Sequence, residues 1–254
     1  MNYKTEALVL HTVRYGDSRI IIDMYTREAG RQSFIVSISR GGRSAMKKQY
    51  FQPLTLLVIE ADSRPLQQLQ RLRNAELLYT WQSLLSEPGK LAIALFVSEF
   101  LYHALRAEQK DERLFDYVRS SLEWLDSRAD RYANFHLVFL MRLSRFLGFF
   151  PNLSPPTVQD GPQSQHPSSQ EPYFDLRASN FCTTPPPHHD YLMPEEASRI
   201  RPLMRMDFAT MHLFRLSHLD RDRLLEVAVI YYRLHLPNFP ELKSLAVMQQ
   251  LFIS

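Results

Sequence analysis

A chain of 254 residues that is 45% hydrophobic and 22% charged can fill one large core or two small ones, which excludes disorder throughout. The net charge of +3 does not by itself mark a nucleic-acid binder, but its placement is uneven: residues 1–82 carry 12 Lys and Arg against 7 Asp and Glu, and the remainder 18 against 20. A single cysteine, Cys182, excludes an intramolecular disulfide and fits a reducing cytosol. No secretory leader is expected, since the apolar run Leu8–Leu10 stops at His11, and Tyr132–Met141 falls far short of the ~20 residues that cross a bilayer. The expectation is a soluble cytoplasmic protein.

Glu6–Val13 alternates in hydropathy and is followed by the turn Tyr15-Gly16-Asp17-Ser18. β-Branched runs follow at Arg19–Thr26 and Gln32–Ser39, separated by Glu28-Ala29-Gly30. Arg40–Lys48, with two glycines and four cations, has no apolar face and cannot be a strand. A fourth strand is expected over Leu54–Glu60 and a fifth over Leu66–Arg73. Five strands with an excursion between the third and fourth fit an OB-type barrel, although an SH3-like barrel has a similar string.

From Pro88 the period becomes helical. Ser86 is the expected cap of a helix to about Arg106 that is apolar nearly all round and therefore central. Lys110–Arg128 and Arg131–Phe149 follow, and the short links between the three predict a bundle. Residues 151–190 are rich in Pro, Ser, Gln and His, with 154–171 expected to be mobile and Tyr173–Leu176 and Phe181 to form a small hairpin. Helices are then expected over Pro194–Met206 and Phe208–Leu216, over Leu224–Leu236 with Asp220 as cap, and over Leu242–Phe252. The fold class is α+β: a β-barrel over residues 1–82 and a helical domain over 83–254, with 151–190 as an irregular insertion.

No motif for catalysis stands out. The seven glycines form neither phosphate-cradling pattern, and Cys182 lies beside Thr183, Thr184 and a proline run. His188-His189-Asp190 lacks the spacing that converges on a metal ion, and the acidic pairs Asp111-Glu112 and Glu195-Glu196 fall at helix starts, where the dipole explains them. No cofactor and no metal are expected. The cations form a better constellation: Arg14, Arg19, Arg27 and Arg31 flank the first two turns, and Arg40, Arg43, Lys47 and Lys48 fill the excursion. Arginine's fork suits phosphate and its plane stacks on bases. Tyr15, Tyr25, Phe34, Tyr50 and Phe51 are possible stacking partners, although Tyr25 and Phe34 alternate with aliphatics as core residues do. The residues alone leave a DNA-binding protein, a protein–protein adaptor and, more remotely, a nuclease open.

The run from Lys4 to Arg31, KTEALVLHTVRYGDSRIIIDMYTREAGR, followed by Gly41-Gly42-Arg43-Ser44, resembles the start of the bacterial RecO family of recombination mediators. The likeness continues through Phe146–Pro151, Tyr173–Leu176 and Tyr231–Leu236. It implies an N-terminal OB domain, a helical domain and no enzymatic turnover. Such proteins bind single- and double-stranded DNA, anneal complementary strands, and help load RecA on DNA coated by single-strand binding protein. Their partners are RecR and the acidic tail of that binding protein. Arg142 and Arg145 are candidates for the tail contact as cations on an apolar helix. One departure is plain: many members carry a four-cysteine zinc site in the segment after the third helix, and this chain has Cys182 alone.

Overall fold

A computed structural model describes residues 2–37, 48–62, 67–106, 109–156 and 172–250. The chain forms two compact units, residues 1–129 with 240–254, and residues 130–239. In the first, β1 (Asn2–Tyr15), β2 (Arg19–Thr26), β3 (Gly30–Ser37), β4 (Leu56–Asp62) and β5 (Leu69–Leu77) close into a barrel in the order β1-β2-β3-β5-β4. The pairing of β3 with β5 is parallel and the others are antiparallel. This is the OB architecture expected from the sequence.

Alternation builds the barrel interior from Ala7, Val9, Ile20, Ile22, Met24, Phe34, Val36, Leu57 and Ile59. Two bulges interrupt it. One, between Val9 and His11, leaves both Leu8 and Leu10 buried on the outer side of β1. The other pairs Ala61 with Leu72 but Glu60 with Asn74, so Arg73 is the extra residue of β5. Inward residues there run Leu72 then Ala75, a spacing of three that hides the strand's continuation. β5 consequently spans Leu69–Leu77, later than the expected Leu66–Arg73.

Helix α1 (Pro88–Ala104) buries ten of its seventeen residues, Ile93, Phe96, Val97, Phe100 and Leu101 among them, but Leu95, expected inside, is 54% exposed. Its N-cap is Glu87 without a side-chain bond; Ser86, the expected cap, instead turns its hydroxyl to the carbonyls of Gln82 and Ser83. Helix α2 (Glu112–Ser127) is capped by Asp111, whose carboxylate accepts the Leu114 N–H. Near its end, the buried Asp126 carboxylate reaches back to the segment leaving the barrel. It accepts the backbone N–H groups of Gln82, Ser83 and Leu84 and the Tyr79 hydroxyl. Lys90, 1% exposed, donates to the Asp126 and Arg128 carbonyls and to Ser83 Oγ, and pairs with Glu87 at 3.3 Å. The last helix, α7 (Ser244–Gln250), packs on α1, where Glu99 accepts from the N–H groups of Lys243 and Ser244.

In the second unit, α3 (Phe135–Phe146) packs with α5 (Ile200–Arg205) and α6 (His218–His235). The expected bundle of the first three helices is thus not how they group. The hairpin is a three-stranded sheet in which β6 (Tyr173–Asp175) lies between β7 (Asn180–Cys182) and β8 (Tyr191–Leu192). Its core is Phe174, Leu176, Phe181 and Leu192 against Val227 and Tyr231 of α6. The single helix expected over Pro194–Met206 is two, α4 (Pro194–Ala197) and α5, because Pro202 cannot donate to the Ser198 carbonyl and crowds it. Phe208–Leu216 is only a 3₁₀ turn at Met211–Leu213: Asn134 Nδ2 takes the carbonyls of Met211 and Phe214 that a helix would have used. Helix α6 starts six residues before the expected Leu224, capped by Ser217 rather than Asp220, whose carboxylate pairs with Arg199. The expected mobile stretch 154–171 lies mostly outside the described residues.

Burial alone would raise the Asp126 pKa, but the N–H groups of Gln82, Ser83 and Leu84 and the Tyr79 hydroxyl hold it below the ordinary aspartate value. A depressed folded-state pKa contributes stability above the unfolded value, and that part is lost as pH falls through the folded one. Asp126→Ala orphans three N–H groups and is expected to lower unfolding free energy by about 3 kcal/mol at neutral pH. Denaturant titrations at pH 7 and near pH 3 check this: the gap between variant and wild type narrows at the lower pH.

Candidate nucleic-acid interface

The β1–β2 hairpin runs past the end of the barrel core. All residues from Val13 to Arg19 are exposed, with Gly16 at φ +70° making the turn. Val13 is 47% and Tyr15 50% exposed, large values for side chains that elsewhere in these strands are buried. The Arg19 guanidinium lies over the Tyr15 ring, 5.6 Å from its centroid.

Register fixes which side chains share a face. On the outer face, Tyr15 lies opposite Arg19 and Arg19 opposite Ser37; the next row is Val13, Ile21, Ile35 and Arg71, one residue from each of β1, β2, β3 and β5. The result is an aromatic and aliphatic strip bordered by two arginines. Arg14 is on the other face of β1, following Thr12 by two residues, about 7 Å along the strand. Thr12 Oγ1 donates to the Phe51 carbonyl at 2.7 Å and so fastens the 3₁₀ turn Lys48–Phe51, which begins with Lys48, beside that face.

The expected cations therefore divide. Arg14, Arg19 and Lys48 are exposed, as is Arg71, which the sequence reading missed; among the described residues none has a carboxylate partner. Arg71 was concealed inside the polar string Gln67–Arg73 and emerges only from its register opposite Ile35. Arg27 is bound to α2, with Nη2 3.0 Å from Asp116 and Nε 3.8 Å from Glu112. Arg31 is half-buried: it pairs with Asp23 at 3.3 Å, donates to the Tyr102 carbonyl at 3.0 Å and lies over the Tyr102 ring at 4.8 Å. Burial lowers the Arg31 pKa, against the pull of Asp23. Arg40, Arg43 and Lys47 lie outside the described residues. Of the five aromatics, Tyr25, Phe34 and Phe51 are buried, Tyr50 is half-buried and Tyr15 is free at the surface.

In the second unit, Arg142 and Arg145 stand one turn apart on α3. Arg142 donates to the Met206 carbonyl at the end of α5, and Arg145 covers the Phe150 ring at 4.2 Å. His188 faces Asp175 at 3.4 Å, and Arg177 binds Asp190. No three His, Cys, Asp or Glu side chains converge on an ion-sized space among the described residues. Burial and the neighbouring Asp175 charge raise the Cys182 pKa, disfavouring the thiolate that zinc requires. One thiol of this kind cannot supply the four sulfurs that the resemblance would call for here, and the small sheet packs on its apolar core. Among the described residues no helix is long and apolar enough to cross a membrane.

The family profile described as Recombination protein O N terminal matches residues 1–81, and that described as Recombination protein O C terminal matches residues 85–246. A DNA repair protein RecO from Phocaeicola vulgatus is 47% identical over 99% of this chain and 100% of its own. One from Bacteroides fragilis is 45% identical over 99% and 100%, and one from Porphyromonas gingivalis 34% identical over 98% of each.

Thermal or denaturant unfolding separates the anchored cations from the free ones. Arg31→Ala is expected to cost about 2 kcal/mol through its lost charged hydrogen bonds. Arg19→Ala, at an exposed turn, should stay within about 0.5 kcal/mol of wild type.

Proposed function

Since the chain belongs to the RecO family, we propose that it is a DNA repair protein whose barrel holds single-stranded DNA along the β1–β2 tip and the outer face of β1, β2, β3 and β5. The observation that carries this reading is exposed Tyr15 and the Val13–Ile21–Ile35 strip bordered by Arg19 and Arg71, with Arg14 and Lys48 on the other face of the β1–β2 tip; among the described residues none of the four has a carboxylate partner. OB barrels bind oligonucleotides on the face of strands 2 and 3 and at the loop joining strands 1 and 2. Phosphates go to the arginines and Lys48, and bases stack on the ring and the aliphatic strip. Arg40, Arg43 and Lys47 extend the positive charge along the sequence after β3. Arg27 and Arg31, with carboxylates already beside them, hold the barrel to its helices and orient this face.

In this proposal residues 1–82 are the DNA-binding domain and 83–254 the helical domain, with 151–190 as its insertion. The protein works without turnover as a mediator in the cytoplasm, on the nucleoid. It anneals complementary strands and, with RecR, assists RecA onto DNA coated by single-strand binding protein. A cationic strip beside a stacking surface suits annealing, because it neutralises strand repulsion while leaving the reading edges of bases accessible. The acidic tail of single-strand binding protein is assigned to the helical domain, with Arg142 and Arg145 as its cationic contacts. Those two side chains offer adjacent guanidinium groups on one helix face.

The test is fluorescence anisotropy of a labelled single strand across a salt series. Losing three phosphate contacts in Arg14→Ala/Arg19→Ala/Lys48→Ala should flatten the log–log salt slope by roughly 2. An unchanged slope moves the DNA to another face, and no binding by wild type at low salt favours a protein–protein adaptor.

A further inference from the structure

A cleft opens in the first unit, lined by none of the residues of β2 or β3. It measures about 290 Å³ and lies between the 3₁₀ turn, the start of β4 and the segment that leaves β5. Three rings stand in its walls, Tyr50, Tyr79 and Trp81, together with the side-chain amides of Gln49 and Gln52. No side chain lining it is charged. That composition is wrong for a phosphate or a carboxylate, which needs cations or converging N–H groups, and too polar for an acyl chain. It suits a flat, neutral ligand with hydrogen-bonding edges.

Two of the rings are held in place beforehand. The Tyr79 hydroxyl donates to Asp126 at 3.2 Å and Trp81 Nε1 donates to the Leu54 carbonyl at 3.0 Å, leaving the rings 4.9 Å apart at 55°. A ligand that stacks there orders little that is not already ordered. The amides are the opposite: Gln49 and Gln52 are exposed, and their side chains make no hydrogen bond among the described residues. They are free to read an edge. Positive charge lies next to the cleft in the chain without lining it. Lys48 precedes Gln49 in the same turn, and that turn is fastened to β1 by Thr12, two residues before Arg14 on the same face.

We propose that this cleft captures an unpaired nucleobase of a single strand whose flanking phosphates lie on Lys48 and Arg14. The proposal deepens the DNA-binding reading and rests on it. A base still paired in a duplex cannot reach the rings, so the cleft makes the protein favour unpaired DNA at no cost in net charge. One face then supplies a stacking strip and the other a pocket for a single base.

Trp81 is its own reporter, because the only other tryptophan is Trp124. In a Trp124→Phe protein shown to be folded by circular dichroism, Trp81 emission is titrated with an oligothymidylate labelled for anisotropy. A matched oligomer of abasic sites, with the same number of phosphates, is the comparison. The expected result is quenching by the base-bearing strand and none by the abasic one, which binds at least about tenfold more weakly. Gln49→Ala/Gln52→Ala and Leu85→Asn, each changing an exposed wall residue without changing charge, should reduce the quenching while the salt slope stays as in the parent. Binding by anisotropy with equal quenching from both strands, or with none, overturns the base pocket and leaves the interface on the outer face standing. No binding of either strand overturns both readings. Quenching by an uncharged aromatic peptide but not by oligothymidylate reassigns the cleft to a protein partner and overturns the proposal.

Discussion

One buried carboxylate ties the first unit together. Asp126 collects three consecutive backbone N–H groups at residues 82–84 as the chain leaves the barrel, and Lys90 closes the arrangement from α1. A buried ion of either sign is costly unless its hydrogen-bonding capacity is met, and here each meets the other's surroundings rather than only its charge. Lys90 bonds to the carbonyl of Asp126 and to the hydroxyl of Ser83, whose N–H goes to the Asp126 carboxylate. The link from strands to helices is therefore a fixed corner rather than a tether. Tyr79, held by the same carboxylate, inherits its position from that corner.

The positive charge of the barrel is likewise shared between holding and presenting. Arg27 is spent on Asp116 of α2, and Arg31 on Asp23 of the neighbouring strand and on the Tyr102 carbonyl of α1. Arg14, Arg19, Lys48 and Arg71 are left facing water. Composition cannot make this distinction, since a cation in a turn looks the same whether or not a carboxylate waits on another element. The charge excess over residues 1–82 does not say which cations are tied to carboxylates and which face water.

Much of the fold could be read directly. Alternation located four strands closely, and the switch to helical period at Pro88 located α1. What escaped were features whose signal lies in another part of the chain. The bulge at Arg73 broke the period of β5, and β8, two residues long, has no pattern to read. Asn134 decides the conformation of residues 211–214 from nearly eighty residues away. At the candidate interface, Tyr15 and Arg19 are visible beside their turn, whereas Arg71 and the ring pair Tyr79–Trp81 require the register and the Asp126 corner to bring them into place.

The barrel is not closed evenly around its circumference. The antiparallel pairs extend over most of each strand, but among the described residues β3 and β5 pair only from Ser33 to Ile35 against Leu69 to Arg71. That short parallel seam is where the wall parts most cheaply, since the fewest ladder bonds must be broken there. The row Val13–Ile21–Ile35–Arg71 crosses it. On the proposed reading a strand of DNA lying on that row touches both lips, so occupancy and closure become one linked equilibrium, and the ligand acts as a suture across the seam.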